Sequence, residues 1–341
     1  MNVPPEPFPP LPTGKIPVGL LARLLGGLPP LPPEVRLGPR IGEDACAIEV
    51  PIGTLVVATD PITLTAKDIG RLSVIVNAND VAVTGARPRW FLAVVLLPPG
   101  STEPEVHALF QGMQEALAAA GVSLVGGHTE VTEAVTQQIV IGQMLGLAEG
   151  GRFIATGGVR PGDVLIQVGS VPIEGPAVLA REAAHLLGAL DGTAVQAARE
   201  ALLDPGISVV EPALLASDLG ASSLHDPTEG GLAGGLHEMA HASAILLRID
   251  SQAILWFEAG TAVCRTLEAD PWATLASGTL LAAFPPARAE TALRTLLARG
   301  HAAAVIGRAE PGSGVRDADD RPIPWPERDE VARVLSTLVG E

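Results

Sequence analysis

The sequence predicts an α+β protein built from two domains. Its 341 residues suffice for two domains of ordinary size, and 47% of them are hydrophobic, enough for two cores. Runs of β-branched residues alternate with helical patterns, in the order strand, strand, helix, strand, helix, strand, strand in the first half. A glycine-containing segment, Glu149-Gly150-Gly151-Arg152, then precedes a second series of elements. We therefore expect an N-terminal domain over residues 1–150 and a C-terminal domain over residues 151–341.

The first half begins with a proline-rich arm at residues 1–12 and a short leucine-rich helical pattern. Two apolar runs, at 44–50 and 54–59, are separated by Pro51-Ile52-Gly53, which predicts a hairpin. A helix at 69–84 follows. The other elements predicted for this half are a strand at 90–97, a helix at 102–120, and strands at 122–126 and 138–147.

The helix at 102–120 has the clearest boundaries in the sequence. Thr102 and Glu105 have the spacing of a capping box, and Gly121 is a typical C-terminal stop. Its apolar stripe consists of Val106, Leu109, Phe110, Met113 and Leu117. An amphipathic surface helix is therefore expected here.

The second half repeats this mixture of strands and helices. A strand is predicted at 163–168, helices near 175–188 and 207–218, and a further helix beginning at Asp226. The later elements expected are strands near 244–249 and 278–284, a helix at 286–299, a strand at 302–307, a polar tail at 311–328 and a short final helix.

Charge and cysteine content exclude several classes of protein. The net charge of −16 argues against general binding to nucleic acid or to an anionic membrane surface. No window approaches the ~18 uninterrupted apolar residues of a membrane span. Cys46 and Cys264 are the two cysteines, far apart and without zinc or disulfide spacing. We therefore expect a cytoplasmic protein.

Four aspartates stand out as candidate metal ligands: Asp44, Asp60, Asp80 and Asp226. Each lies among glycine or small residues beside an apolar strand or helix pattern. An ionised carboxylate is costly to bury unless it is paired or binds a metal, and Mg²⁺ prefers oxygen ligands that it shares with substrate phosphates. Each residue also has an ordinary interpretation, such as a turn for Asp44 and a strand end for Asp60. Together they predict a metal–nucleotide centre.

The sequence around Asp226 and Asp80 sharpens this prediction. Asp226, Pro227 and Glu229 fit the N-cap, N1 and N3 positions of a capped helix, which needs no ligand. The same helix start would also be an anion site, and four glycines within residues 230–235 would allow close approach to a phosphate. Asn77 and Asp80 are three residues apart on one helix, so both can face one site.

Two further segments are candidate phosphate contacts. Gly126-Gly127-His128-Thr129 follows a strand, and paired glycines permit close backbone approach to a phosphate. His128 is either a ligand contact or an ordinary loop histidine. Lys15 is one of two lysines among 22 basic residues, which suggests a compact point charge that arginine cannot replace, or a solvated residue of the tail.

The order of these motifs resembles the AIR synthase-related superfamily. This superfamily includes aminoimidazole ribonucleotide synthase, thiamine-monophosphate kinase, selenophosphate synthetase and the HypE-type hydrogenase expression/formation proteins. The motifs that carry the resemblance are Gly42-Glu43-Asp44-Ala45, Asn79-Asp80-Val81-Ala82-Val83-Thr84-Gly85-Ala86-Arg87-Pro88, Gly126-Gly127-His128-Thr129 and Asp226-Pro227-Thr228-Glu229-Gly230-Gly231. The HypE type is the most similar overall.

The resemblance implies a two-domain protomer that binds ATP and Mg²⁺. Its N-terminal domain would bind ATP and form a homodimer through its sheets, with the ATP sites beside the shared barrel. By the same resemblance Asp44, Asp60, Asp80 and Asp226 are the Mg²⁺ ligands. The residues implied as nucleotide contacts are Lys15, Asn79, Gly126, Gly127, His128 and Thr129.

The function implied is the ATP-dependent activation of a small acceptor by phosphoryl transfer, with a maturation protein as a partner. The HypE type ends in a reactive cysteine, whereas this sequence ends Leu338-Val339-Gly340-Glu341, so the carrier of its carbamoyl chemistry is not expected here. Many relatives have an acidic residue where His128 stands. The alternatives are a non-catalytic ATP-binding scaffold or sensor, and thiamine-monophosphate kinase. No catalytic residue is assigned.

Overall fold

Two six-stranded sheets, one in each half of the chain, organise the fold. The computed structural model describes residues 18, 19, 22, 33–37, 40–43, 45–63, 67–149 and 152–338. Nine helices accompany the two sheets within these residues. The α+β architecture predicted from the sequence is therefore confirmed.

The first sheet is formed by residues of the N-terminal half. Its strands are β1 (Val35–Leu37), β2 (Ala45–Val50), β3 (Gly53–Ile62), β4 (Arg87–Leu97), β5 (Ser123–Val131) and β6 (Ile139–Glu149). The spatial order is β1-β2-β3-β6-β4-β5. Strands β2 and β3 pair antiparallel, from Ala45 opposite Ala58 to Val50 opposite Gly53, so the predicted hairpin is confirmed.

Two helices pack on this sheet, and the inner one is buried almost throughout. Helix α1 (Ile69–Ala82) lies between the sheet and the second half of the chain, which explains why nearly all of its positions are small or apolar. Helix α2 (Glu103–Ala120) packs outside it with the apolar stripe predicted from the sequence. The capping box is present, because the backbone N–H of Thr102 donates to Glu105 Oε2 at 2.7 Å.

Strand β5 is the outer edge of the first sheet. It pairs with β4 on one side only, in parallel, and all nine of its residues are exposed. Leu124, Val125 and Val131 are 43%, 55% and 61% exposed, respectively. An exposed apolar edge strand is a template for pairing with another chain.

The second sheet is formed by six strands of the C-terminal half. They are β7 (Val164–Val168), β8 (Ser223–His225), β9 (Leu246–Ile249), β10 (Leu280–Phe284), β11 (Ala303–Glu310) and β12 (Gly314–Asp317), in the spatial order β12-β9-β11-β7-β10-β8. The helices are α3 (Glu174–Glu182), α4 (Gly192–Glu200), α5 (Val210–Asp218), α6 (Gly231–Ser243), α7 (Glu258–Thr266), α8 (Pro286–Ala298) and α9 (Glu330–Leu338). No helix in the described part of the chain has the length and hydropathy needed to cross a membrane.

One predicted helix boundary is wrong. The helix expected to begin at Asp226 begins at Gly231, and Gly230 is its N-cap residue, with φ of +85°. Residues 226–230 form an irregular turn instead. The sequence does not predict helices α4 and α7 or strands β1, β8 and β12. These elements are short, and all but β1 pack on neighbours that are distant in sequence.

Buried side chains join the two halves. Asn79 of α1 is fully buried; its Nδ2 donates to the carbonyl oxygen of Ile207 at 2.8 Å, and its Oδ1 accepts from the N–H of Val209 at 2.9 Å. At the other end of α1, Arg181 Nη1 lies 3.0 Å from Asp68 Oδ2. The apolar cluster around α5 also includes Ala82 and residues of β8 and β10.

Candidate functional site

Asp60 lies within β3 and is held by Asn77 of α1. The backbone N–H of Asp60 donates to Asn77 Oδ1 at 2.8 Å, and Asn77 Nδ2 donates to the Asp60 carbonyl oxygen at 3.2 Å. Asn77 is fully buried, whereas Asp60 is partly exposed. This double contact fixes the end of strand β3 against α1, the helix that carries Asp80.

Asp80 follows Asn77 by one helical turn and is 3% exposed. Residues three apart on a helix share a face, so Asp80 lies on the side of α1 that meets Asp60. The neighbouring Asn79 faces the second half, and its hydrogen bonds go to residues 207 and 209. The position of Asn79 shows a packing role, and its contact with a nucleotide stays a prediction.

Asp226 comes directly after β8 and is 2% exposed. The turn that follows it has positive φ at two successive residues, Gly230 and Gly231. A Cβ atom at Gly231 would lie 2.5 Å from the carbonyl oxygen of Trp272, so the tight contact there requires glycine. His225, immediately before Asp226, has Nε2 2.9 Å from Glu238 Oε2 of α6.

Glu43 brings the Asp44 segment to the second half of the chain. Its two carboxylate oxygens accept hydrogen bonds from the N–H groups of Thr156 and Gly157, at 3.0 and 3.1 Å. The Thr156 carbonyl oxygen in turn accepts from Ser223 Oγ of β8 at 2.7 Å. This links the Asp44 segment to the strand that ends before Asp226. Asp44 and Lys15 themselves lie outside the described residues.

The predicted phosphate segment does not follow a strand that ends at residue 126, as expected from the sequence; residues 126–129 lie within the exposed edge strand β5 and pair with β4. Gly127 has φ of +151°, and a Cβ atom there would lie 2.1 Å from the carbonyl oxygen of Ala93, so close pairing with β4 requires glycine. A Cβ atom at Gly126 would meet only a side-chain atom of Leu92 at 3.5 Å, an ordinary contact. His128 is exposed, with Nε2 3.4 Å from Glu130 Oε2, and Thr129 is exposed beside it.

A group of acidic side chains surrounds the turn after Asp226. Glu174 at the start of α3 is buried, and burial raises its pKa to about 6, opposed by a hydrogen bond with Ser277 and aided by the charge of Glu229. Asp329, immediately before α9, is 3% exposed. Burial raises the pKa of Asp329 to about 7, against two backbone hydrogen bonds, and the charges of Glu229 and Glu174 add to the increase.

The described contacts link the chain segments that carry Asp60, Asp80 and Asp226, and the meeting of their carboxylates in one site stays a prediction. Asn77 connects Asp60 to the helix of Asp80; Ala82 near the end of that helix packs in one apolar cluster with Leu224 of β8. Strand β8 leads directly to Asp226. No group of three or more His, Cys, Asp or Glu side chains in the described ranges is arranged to hold a metal ion by itself.

Several residues around this junction were missed by sequence reasoning. Glu43 and Asp329 accept hydrogen bonds that shape the site, yet each resembles an ordinary surface acid in the sequence. Glu174 differs, because it lies within an apolar run. Asn77 was noted for its spacing from Asp80, although its contact with Asp60 was not. The single available signal was a polar residue within an apolar pattern, which applies to Asn77 and Glu174.

Comparison with known proteins identifies the family. The model for the N-terminal domain of AIR synthase related proteins matches residues 42–148, and that for the C-terminal domain matches residues 160–319. Carbamoyl dehydratase HypE of Azotobacter vinelandii is 31% identical over 273 residues, which cover 77% of this chain and 77% of that protein.

Solved structures give the same result. The hydrogenase maturation protein HypE in complex with ATP is similar with a TM-score of 0.71 and 26% identity, covering 86% of this chain and 92% of that one. Thiamine monophosphate kinase of Aquifex aeolicus shares the fold, with a TM-score of 0.67 and 19% identity over 90% of this chain and 97% of that one. The chain belongs to the AIR synthase related protein family, and its most similar relatives include HypE proteins.

Proposed function

We propose that this protein is a Mg²⁺-dependent, ATP-using enzyme that activates a small acceptor by phosphoryl transfer. The observation that carries the proposal is the buried link from Asn77 to Asp60, on the helix that also carries the buried Asp80, in a chain 26% identical to a HypE protein solved with ATP. A relative named carbamoyl dehydratase supports ATP-dependent dehydration as the type of chemistry.

The donor atoms of this junction suit Mg²⁺. Carboxylate oxygens are hard ligands, and Mg²⁺ is usually held by one or two protein carboxylates, several waters and the phosphates of the substrate. Among the described residues no group of three or more His, Cys, Asp or Glu is placed to hold an ion, so Asp44 and the phosphate oxygens would have to complete the site. Asp60, Asp80 and Asp226, with Asp44, are the residues that would hold the ion, which would offset charge on the phosphates.

The protein's own contribution is positioning. An oxygen of the acceptor would form a bond to the γ-phosphorus while the bond from that phosphorus to the bridging oxygen of ADP breaks. Asn77 fixes the Asp60 segment, and Glu43 fixes the Asp44 segment against the second half. Buried main-chain contacts of this kind keep the carboxylates in place before the nucleotide arrives, which is where such enzymes gain most of their catalysis.

A homodimer is part of the proposal. The Gly126–Thr129 segment is implied as a phosphate contact, and it lies on an edge strand whose apolar residues are exposed. Pairing of this edge with a second copy would cover Leu124, Val125 and Val131. We propose that the N-terminal domain comprises residues 1–150 and forms the dimer, and that the C-terminal domain comprises residues 151–341. A cytoplasmic location and a maturation protein as a partner stay predictions of the family resemblance.

Calorimetry with a non-hydrolysable ATP analogue tests nucleotide binding. Titration in the presence of MgCl₂ should give binding that Asp80→Asn weakens at least about tenfold, equivalent to ~1.4 kcal/mol. Asp163→Asn is the matched control, because Asp163 is also buried (4% exposed) and accepts hydrogen bonds from Ser222 Oγ and the N–H of Arg160, at the opposite end of β8 from Asp226. Equal binding by wild type and Asp80→Asn would contradict the proposed site.

Turnover distinguishes the enzyme from a non-catalytic scaffold. ADP release above background, dependent on Mg²⁺ and lost in Asp80→Asn, supports the enzyme. Binding of ATP without ADP release, with carbamoylated thiols, carboxylates and thiamine monophosphate each tried as acceptor, would favour the scaffold. Phosphorylation of thiamine monophosphate would instead identify the kinase activity, for which the structural likeness at 19% identity supports the fold alone.

A further inference from the structure

Asp329 connects the C-terminal helix to the turn that follows Asp226. Its Oδ2 accepts a hydrogen bond from the backbone N–H of Gly230 at 2.8 Å, and its Oδ1 accepts one from the N–H of Val331 at 2.8 Å. Gly230 belongs to the turn, whereas Val331 lies in the first turn of α9. One carboxylate therefore bridges two segments about 100 residues apart in sequence.

Main-chain hydrogen bonds also hold the turn and the first residues of α6 from another side. The Thr228 carbonyl oxygen accepts from the N–H of Ala276 at 3.3 Å, and the N–H of Ala233 donates to the Trp272 carbonyl oxygen at 2.9 Å. These contacts come from the segment before β10. Asp329 holds the side that faces α9, next to the two successive residues with positive φ, Gly230 and Gly231.

The matched family model does not include this residue. The C-terminal domain model ends at residue 319, ten positions before Asp329. The segment from 320 to 338 nevertheless packs into the site region, because the N–H of Glu330 donates to the Ala273 carbonyl oxygen at 3.1 Å and Val331 is fully buried. The contact thus lies in a segment outside the matched domain model.

We propose that Asp329 is a positioning residue, which sets the turn at residues 226–231 for binding of Mg²⁺ and ATP through its charged hydrogen bond with Gly230. The inference rests on the proposed function for the nucleotide. Asp329 would not touch the nucleotide or the ion. It would act by fixing the main-chain conformation of the turn that follows Asp226. Because Asp329 also bonds the first turn of α9, the position of α9 would affect the geometry of the site.

The hydrogen bond should depend on the charge of the carboxyl group. Both backbone N–H groups favour the ionised form, whereas burial and the acidic neighbours favour the protonated form. The titratable groups that face Asp329 are Glu229 of the turn, Glu174 of α3 and Cys264 of α7. Because a protonated carboxyl group accepts poorly at one oxygen, the hydrogen bond to Gly230 should itself strengthen as pH increases from 6 to 8, although ionisation of the buried group lowers the stability of the whole fold.

Hydrogen exchange tests the contact without any nucleotide. In the full-length chain at pH 8, peptides spanning residues 226–236 should exchange faster in Asp329→Asn and Asp329→Ala than in wild type. Asp191→Asn is the matched control, because Asp191 caps α4 by accepting from the N–H of Thr193 and does not contact the turn. Exchange in these peptides that is unchanged in both Asp329 variants, each verified as folded by circular dichroism, would overturn the proposal.

Calorimetry with a non-hydrolysable ATP analogue and MgCl₂ tests the consequence for binding. The ratio of the Kd of Asp329→Asn to that of wild type should rise from near unity at pH 6 to about 2- to 10-fold at pH 8, the effect of one hydrogen bond. Asp191→Asn should give a ratio near unity at both pH values. If Asp329 only stabilised the fold, the ratio of the Kd of Asp329→Asn to that of wild type would be the same at pH 6 and at pH 8.

The outcomes separate this inference from the proposed function. If wild type binds the nucleotide and the Asp329→Asn ratio stays flat across pH 6–8, the positioning role is wrong while the proposed function stands. If wild type shows no binding with MgCl₂ at any pH, the proposed function fails and this inference fails with it. A rising ratio together with faster exchange supports the positioning role.

Discussion

The side chain of Asn77 forms two hydrogen bonds with the main chain of Asp60, one to its N–H and one to its carbonyl oxygen. Asn77 Nδ2 also donates to the Ser73 carbonyl oxygen at 2.8 Å within α1. The buried amide bonds both the N–H and the carbonyl oxygen of one residue of β3, as a neighbouring strand would. It connects the strand of one proposed metal ligand to the helix of another.

Replacement of Asn77 by alanine should lower both stability and nucleotide binding. The backbone groups of Asp60 would lose their partners, at a cost of about 1–3 kcal/mol for each group left unsatisfied. Because Asp60 would then move relative to Asp80, binding of the ATP analogue with Mg²⁺ should also weaken. Denaturant unfolding and calorimetry measure the two effects.

Gln167 provides the control for a buried amide elsewhere. It is fully buried in β7, and its amide bonds the main chain of Leu255 through both Nε2 and Oε1. Gln167→Ala should lower stability comparably and leave the Kd of the nucleotide unchanged in the folded protein. Similar binding losses in both variants would show that Asn77 acts through global stability alone.

Two adjacent glycines in β5 should respond differently to alanine. Gly127→Ala forces a Cβ atom against the Ala93 carbonyl oxygen in a positive-φ conformation, so we expect a stability loss of about 1–3 kcal/mol. Gly126→Ala meets no such obstacle in the protomer and should unfold like wild type. If the backbone at Gly126 approaches a phosphate, this variant should nevertheless bind ATP more weakly. Wild-type binding by a stable Gly126→Ala variant would remove Gly126 from the site.

The buried acids Glu174 and Asp329 should make stability depend on pH. Their pKa values in the folded protein, about 6 and about 7, lie above the ordinary values of 4.5 and 3.8. The folded state therefore binds more protons than the unfolded state between these limits, and the free energy of unfolding should fall as pH rises from about 4 to about 7. Urea titrations across this range measure the slope.

The double variant Glu174→Gln/Asp329→Asn should flatten that slope. Glu103→Gln is the control, because Glu103 is exposed at the start of α2 with 88% of its side chain accessible, and it should keep the wild-type slope. A double variant that retains the full pH dependence would assign the effect to other groups.

Removal of the apolar character of β5 should prevent the proposed dimer. Val125→Asp places a charge on the exposed edge strand, where it would be buried in the pairing with a second copy. Sedimentation velocity should show a dimer for wild type and a monomer for Val125→Asp. Val305→Asp, at a valine with 42% exposure on β11, should leave the dimer intact. A monomeric wild-type protein would contradict the dimer.

Much of the fold could be predicted from local patterns. The hairpin of β2 and β3 and the helix that begins after Thr102 follow from short-range signals that the structure retains. The start of α6 could not be predicted, because Asp226-Pro227-Thr228-Glu229 satisfies the rules for a helix cap while tertiary contacts with Trp272 and Asp329 select an irregular turn. Helix α7 is short and depends on packing against α3 and α4.

The residue types of the proposed site could be predicted from the sequence, whereas the side chains that hold the surrounding main chain in place could not. Asp80 and Asp226 stood out as charges in apolar surroundings, and both are buried near the junction. The side chains that hold the surrounding main chain, such as Glu43 with the N–H groups of Thr156 and Gly157, could not be identified. Their partners lie over 100 residues away in sequence, and no local pattern records such a contact.

The buried hydrogen bonds of Asn79 have a consequence for motion during a catalytic cycle. Any hinge opening between the halves at α1 would break the hydrogen bonds of its amide with Ile207 and Val209, at a net cost of about 0.5–1.5 kcal/mol for each bond replaced by water, and would also expose the apolar surface around it. Rigid-body swinging of one half against the other is therefore disfavoured. Entry of reactants and exit of products would instead depend on rearrangement of loops around a fixed frame.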